Sequence, residues 1–203
     1  MNAPATPQHL LPAELTASAV PVKLSATPNL ILGPFYPVNP PADAGADLFS
    51  GFSERAPGRQ PMTLGGQVLN RAGQAVPNAL VEIWQADESG RYAHTSAPPP
   101  APADARFTGY GALRTDANGS YQFRTIRPAA YLENGQQRAP HIHFQVTGQH
   151  DRLITQMFFP DEPLHVSDHW FRAVTRPLQL LAKRVPNDKE PLHLQWDIIL
   201  RTG

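Results

Sequence analysis

The sequence predicts an all-β fold: a β-sandwich core with long loops and one or two short helices. Three observations predict it. Proline is abundant, at 23 of 203 residues, and is scattered along the chain. Scattered proline breaks long helices and multiplies turns. β-prone runs recur at short spacing, bounded by Gly, Pro and Asn turn signals, as sandwich strands do. One stretch has helix-like apolar spacing, "SDHWFRAVTRPLQLLAKRV" at 167–185, and Pro177 interrupts it.

The elements follow in order. Residues 1–30 are rich in Ala, Pro and Thr and read as an extended arm, leaving 31–203 as a single domain. "ILGPFYPVNPPADAG" at 31–45 is a proline-punctuated loop, carrying Phe35 and Tyr36, which are large to leave in solvent. "TLGGQVLN", the turn "RAGQAVPN" and "ALVEIWQA" follow. Leu80, Glu82 and Trp84 alternate there with Val81, Ile83 and Gln85, a period of two that fits antiparallel strand. "DESGRYAH" closes it with a turn at Gly90, and 95–106 is a low-complexity loop. "RTDANGSYQFRTI" carries a hairpin signal with Asn118-Gly119 at its tip. "RPAAYLENGQQRAP" reads as a loop leading into a strand at "HIHFQVT". "LITQMFF" at 153–159 is a further strand, and "LHLQWDIIL" at 192–200 is the last.

Composition narrows the chemistry. The chain is long enough for one sizeable core. It has no cysteine, which excludes disulfides, thiolate metal sites and a cysteine nucleophile. A formal net charge of +0 without a basic run argues against a nucleic-acid partner. No apolar stretch approaches the roughly 20 residues of a membrane span. The first residues lack the basic start and apolar core of a signal peptide, so a cytoplasmic location is expected.

The informative pair is His141 and His143. On a strand, residues i and i+2 share a face. Two imidazoles so placed can converge on one metal ion at about 2.1 Å each. Strand histidines are also often ordinary hydrogen-bonded residues, and the pair alone leaves both readings open. His94, His150, His165, His169 and His193 lack a comparable partner and read as structural or exposed. Tyr92 follows a Gly-Arg turn, and Tyr131 lies just before the histidine strand. Each alone reads as core packing with one satisfied hydroxyl. Two imidazoles and two phenolates together make a nitrogen–oxygen set that suits a hard ion, with Fe(III) the natural candidate. A phenol with a pKa of about 10 needs strong Lewis acidity to ionise at neutral pH.

The stretches "GGQVLNRAGQAVPNALVEIWQADESGRYAH", "RTDANGSYQFRTIRPAAY", "RAPHIHF" and "LITQMFF" resemble the intradiol ring-cleavage dioxygenases, close to the iron-binding type of protocatechuate 3,4-dioxygenase subunit. "LGPFYP" at 32–37 resembles the loop that opens that family's catalytic domain. The resemblance implies that 31–203 is a single catalytic β-sandwich domain. It implies non-haem Fe(III) held by Tyr92, Tyr131, His141 and His143. Tyr131 matches the axial tyrosine that leaves when substrate chelates, and Tyr92 the one that stays. Arg138 matches the active-site arginine, and Gln156 a glutamine lining the site. Gly33, Pro34, Phe35 and Tyr36, with Arg138, are the expected substrate wall. The implied reaction cleaves a protocatechuate-like catechol with O2 between its hydroxyl carbons, giving a cis,cis-muconate. Hydroxyquinol, catechol or another substituted catechol is the alternative ring, and a non-catalytic subunit the alternative role. The chain departs from the family in the loop after Tyr131. That loop is shorter and has Glu133 near the place of a pocket tryptophan. Relatives tend to assemble, so a homo-oligomer, or a hetero-oligomer with a related subunit, is expected.

Overall fold

The computed structural model describes residues 23–49, 59–94, 106–186 and 191–202. The strands, in chain order, are β1 (Pro61–Leu69), β2 (Leu80–Gln85), β3 (Tyr110–Arg114), β4 (Ser120–Ile126), β5 (Tyr131–Glu133), β6 (Gln136–Arg138), β7 (His141–Thr147), β8 (Arg152–Phe158), β9 (Lys183–Arg184), β10 (Leu192–Gln195) and β11 (Ile198–Ile199). One short helix, α1 (His169–Ala173), lies between two 3-10 turns at Pro163–Val166 and Pro177–Leu180. The fold is all-β, as expected.

Two sheets enclose the core. In one, β1 pairs antiparallel with β4 on one side and parallel with β10 and β11 on the other, and β9 extends β10. The other is antiparallel, in the order β3-β2-β7-β8. Met62, Leu64 and Phe123 from the first sheet meet Val81, Ile83, Ile142, Phe144 and Val146 from the second, all of them buried. Each such side chain contributes about 1.5–3 kcal/mol by leaving water. Trp196 fills the gap between sheets, its ring edge-on to Phe144 at 5.0 Å.

Several local expectations change in detail. β1 and β2 are consecutive strands but belong to different sheets. The turn at Asn118-Gly119 forms, with Asp116 Oδ1 accepting from the backbone N–H groups of Asn118 and Ser120. It likewise joins β3 of one sheet to β4 of the other. A turn signal fixes a reversal, and burial of the flanking apolar faces fixes the strand partner. The stretch 127–140 is not simply a loop. It contains the β5–β6 hairpin, turning at Asn134 (φ 51°) and Gly135 (φ 78°). The last strand is broken in two, because Asp197 Oδ1 takes the N–H of Gln67 in place of a backbone carbonyl. The 167–185 stretch is helical only in pieces on either side of Val174–Arg176. The Pro-rich run 95–105 and residues 1–22 of the arm lie outside the described residues. Arm residues that are described run along the sandwich, with Thr27 donating to Ile199 O and Leu30 to Ile154 O.

Candidate metal centre

β7 divides its side chains by strict alternation. Ile142, Phe144 and Val146 enter the core, while His141, His143 and Gln145 occupy the opposite face of the sheet. That outer face would meet solvent in a bare sheet. Here it is covered, and His141 and His143 are each only 2% exposed. Register sets their neighbours. Trp84 of β2 and Gln156 of β8 flank His143, and the Trp84 ring stacks on the imidazole at 4.9 Å and 14°.

Turn chemistry delivers the two phenols. Asp87 Oδ1 accepts from Ser89 N, Ser89 Oγ and Arg91 N. This closes a reversal that returns Tyr92 to bridge Ala86. Tyr131 opens β5 opposite Arg138 of β6. Gly90 lets the two segments touch: its φ is +80°, and an added Cβ would lie 2.5 Å from Ala130 O and 3.1 Å from Tyr131 Cβ. Gly90→Ala is therefore expected to destabilise by at least about 1–2 kcal/mol from backbone handedness alone. It should also displace Tyr131, and thermal unfolding measures the loss. An unchanged melting temperature would refute this close approach.

The four groups converge. His141 Nε2 lies 3.2 Å from His143 Nε2, 3.4 Å from Tyr92 Oη and 3.5 Å from Tyr131 Oη. Ligands about 2.1 Å from a shared ion stand roughly 3.0 to 3.6 Å apart at angles of about 90 to 120°. His141 Nδ1 must carry its proton, because it sits 2.6 Å from Ala139 O, which only accepts. The lone pair of Nε2 therefore faces the other three groups. His143 Nδ1 is buried without a partner, a costly arrangement that is rare without a purpose.

Electrostatics agree with a cation at this point. Burial, reinforced by the Arg138 charge, lowers the His141 pKa to about 3. Burial and the neighbouring His141 and Arg138 hold His143 well below its usual value. Both rings are neutral, as metal-binding imidazoles must be. Burial raises Tyr92 well above the usual phenol value, and lifts Tyr131 to about 12 against the opposing pull of Arg138. Neither phenol ionises at neutral pH unless a cation is supplied. Among the described residues no group of three or more His, Asp or Glu side chains can hold a metal, which leaves this mixed set of imidazoles and phenols.

Arg138 is 1% exposed and held on three sides. Its Nε donates to Asp168 Oδ2 (3.0 Å), one terminal nitrogen to Glu133 Oε2 (3.1 Å), and the other to Gln156 Oε1 (2.8 Å). The nitrogen on Glu133 also reaches Tyr131 Oη at 3.4 Å. Sequence reasoning missed Asp168. Its Oδ2 also accepts from Ala139 N, while Oδ1 caps α1 through Trp170 N and Phe171 N. An Asp just before an apolar run signals the cap. Its second role, 30 residues from Arg138, leaves no local trace.

The 32–37 loop lies against this cluster. Phe35 stacks on Tyr92 at 4.4 Å and 19°, and presents an edge to Tyr131 at 6.4 Å. Gly33 (φ +75°) sits on His143, where a Cβ would be 3.2 Å from Cε1. Pro34 is exposed. Tyr36 turns its hydroxyl to Glu82 Oε1 at 2.8 Å and its ring edge to Trp84. Of the other described histidines, His150 is exposed, His165 stacks on Phe171, His193 bonds Thr63 Oγ1, His169 Nε2 lies 3.9 Å from Glu133 Oε2, and His94 presents its ring to Phe35 at 5.9 Å.

The family model described as Dioxygenase matches residues 31–202. The chain belongs to the intradiol ring-cleavage dioxygenase family. It is similar to the protocatechuate 3,4-dioxygenase beta chain of Burkholderia cepacia, 39% identical over 67% of this chain and 62% of that one. It is similar to hydroxyquinol 1,2-dioxygenase of Corynebacterium glutamicum, 29% identical over 88% of this chain and 65% of that one. Among solved structures it is similar to mercury-inhibited catechol 1,2-dioxygenase from Acinetobacter sp. ADP1. That match has a TM-score of 0.69 and 28% identity, over 87% of this chain and 63% of that one. The chain thus spans about half to two thirds of the length of the curated relatives it matches. Among the described residues no helix is long and apolar enough to cross a membrane.

Proposed function

We propose that this chain is a non-haem iron(III) enzyme that cleaves a catechol-type ring with O2 between its two hydroxyl carbons, giving a cis,cis-muconate. The convergence of Tyr92 Oη, Tyr131 Oη, His141 Nε2 and His143 Nε2 on one buried point carries the reading. Two neutral imidazoles and two phenols that need a cation to ionise fit a hard ferric ion. Bound iron(III) would supply the Lewis acidity that ionises both phenols and activates the chelated catechol.

The chain's own groups do the rest. Tyr131 is the less buried phenol, and its Oη is the base that takes one catechol proton as the ring arrives. Arg138, beside that oxygen, stabilises negative charge on the bound ring. Gln156 spends its carbonyl on Arg138, while its Nε2 is buried without a partner and is left to a ligand. Gly33, Pro34, Phe35 and Tyr36 form the wall, with Phe35 giving an apolar surface and excluding water. Residues 31–203 are the catalytic unit and 1–30 an arm. The enzyme is cytoplasmic and works as a homo-oligomer or beside a related subunit.

Identity to a protocatechuate 3,4-dioxygenase beta chain favours a protocatechuate-like ring. Similarity to hydroxyquinol and catechol enzymes keeps those rings as the second reading. A non-catalytic subunit would not need four convergent donors. The test is metal analysis, visible spectroscopy and oxygen uptake on the purified protein with a panel of catechols. One iron per chain, a reddish-brown tyrosinate band and a muconate product are expected. Stoichiometric zinc without a visible band, or a yellow semialdehyde product, overturns the reading.

A further inference from the structure

Glu82 sits mid-strand in β2 and is 6% exposed. Unpaired carboxylates are costly in such a place. This one is surrounded by neutral donors: Tyr36 Oη at 2.8 Å and Tyr110 Oη at 2.7 Å on Oε1, and Gln145 Nε2 at 2.6 Å on Oε2. Arg152 reaches the cluster only through Gln145 Oε1. Tyr110 and Gln145 belong to the strands beside β2, so their bonds lie within the sheet. Tyr36 comes from outside it. Among the described residues, the Tyr36 hydroxyl ties residues 31–40 to the sheet, bonded to Glu82 Oε1 beside the Tyr110 hydroxyl. The tied segment carries Phe35 on Tyr92 and Gly33 on His143.

We propose that Glu82 is a positioning residue: it anchors Tyr36, and through it holds the 32–36 loop closed over the metal centre and the substrate ring. The inference rests on the function proposed above. It assigns a role to a carboxylate that touches neither substrate nor metal. Two residues further along β2, Trp84 meets the same loop from below, edge-on to Tyr36 at 5.0 Å while stacked on His143. Loosening the Tyr36 bond therefore frees the loop without removing a ligand.

The experiment uses the full chain with Tyr36→Phe, Glu82→Gln, their double variant, and Tyr110→Phe as the control that removes a hydroxyl from the same carboxylate within the sheet. The first readout is steady-state kinetics on the iron-loaded protein with catechol and 3,4-dihydroxybenzoate. Tyr36→Phe and Glu82→Gln are each expected to raise KM about ten-fold, the usual size for losing one hydrogen bond to a charged group, with kcat little changed. The double variant should be no worse than the weaker single. Tyr110→Phe should lower the melting temperature and leave KM alone. The second readout is chymotrypsin cleavage after Phe35 in metal-free protein, which needs neither iron nor turnover. It should quicken in Tyr36→Phe and Glu82→Gln and not in Tyr110→Phe. If Glu82→Gln does not fold, Tyr36→Phe decides by itself, because Tyr36 is only half-buried. Unchanged KM and cleavage in Tyr36→Phe, or equal effects in Tyr110→Phe, overturn the proposal. Absence of turnover with every catechol, with faster cleavage confined to the Tyr36 and Glu82 variants, would refute the enzyme reading and keep the anchor.

Discussion

His141→Ala and His143→Ala are each expected to lose bound iron and oxygen uptake together. Each removes one of the four proposed ligands, and among the described residues no further His, Asp or Glu completes a metal-binding group. The two rings are buried and neutral, so they contribute lone pairs and not surface charge. The measurement is iron per chain by metal analysis, with the tyrosinate band and oxygen uptake on the same sample. Full iron in either variant would make that histidine a core residue. Tyr131→Phe should be milder for the metal, because Tyr92 is the more deeply buried phenol. It should still slow turnover, since it removes the oxygen proposed to accept a substrate proton.

Arg138→Ala is expected to lower turnover by about a hundred-fold or more, the usual cost of one preorganised charge at a developing anion. The structure adds a second effect. Arg138 is the cation paired with Asp168, which is fully buried, and truncation leaves that carboxylate without its charge partner. Breaking such a pair typically costs about 3–5 kcal/mol. Urea unfolding of metal-free protein reads this loss, and turnover per bound iron reads the catalytic one. Arg138→Lys should restore part of the charge but not the three-sided grip, because an ammonium lacks the planar fork. Turnover per iron unchanged in Arg138→Ala would remove the arginine from the mechanism.

The histidine pair was legible because a local rule places it. Strand alternation puts His141 and His143 on one face whatever the strand pairs with. The Asp87–Gly90 turn that returns Tyr92 is likewise written in neighbouring residues. The β5–β6 hairpin was legible and overlooked: Asn134-Gly135 is the dipeptide that favours a tight hairpin. Pairing was not legible. β1 and β2 read as successive antiparallel strands, yet their buried faces oppose each other across the core. The dual use of Asp168, and the turning of the Tyr36 hydroxyl towards Glu82, depend on contacts between segments 30 and 46 residues apart.

The sequence by itself determined an all-β chain with no cysteine and two histidines on one strand face. Strand alternation acts over a few positions and places that pair; the two tyrosines entered through the family resemblance. Tertiary structure decided what surrounds them. It set which sheet each strand joins, the three groups that hold Arg138, and the carboxylate that ties down the loop above Tyr92. Those choices follow from burying two apolar faces at once and satisfying each polar group trapped in the process. That is a condition on the whole chain, and no short window of sequence contains it.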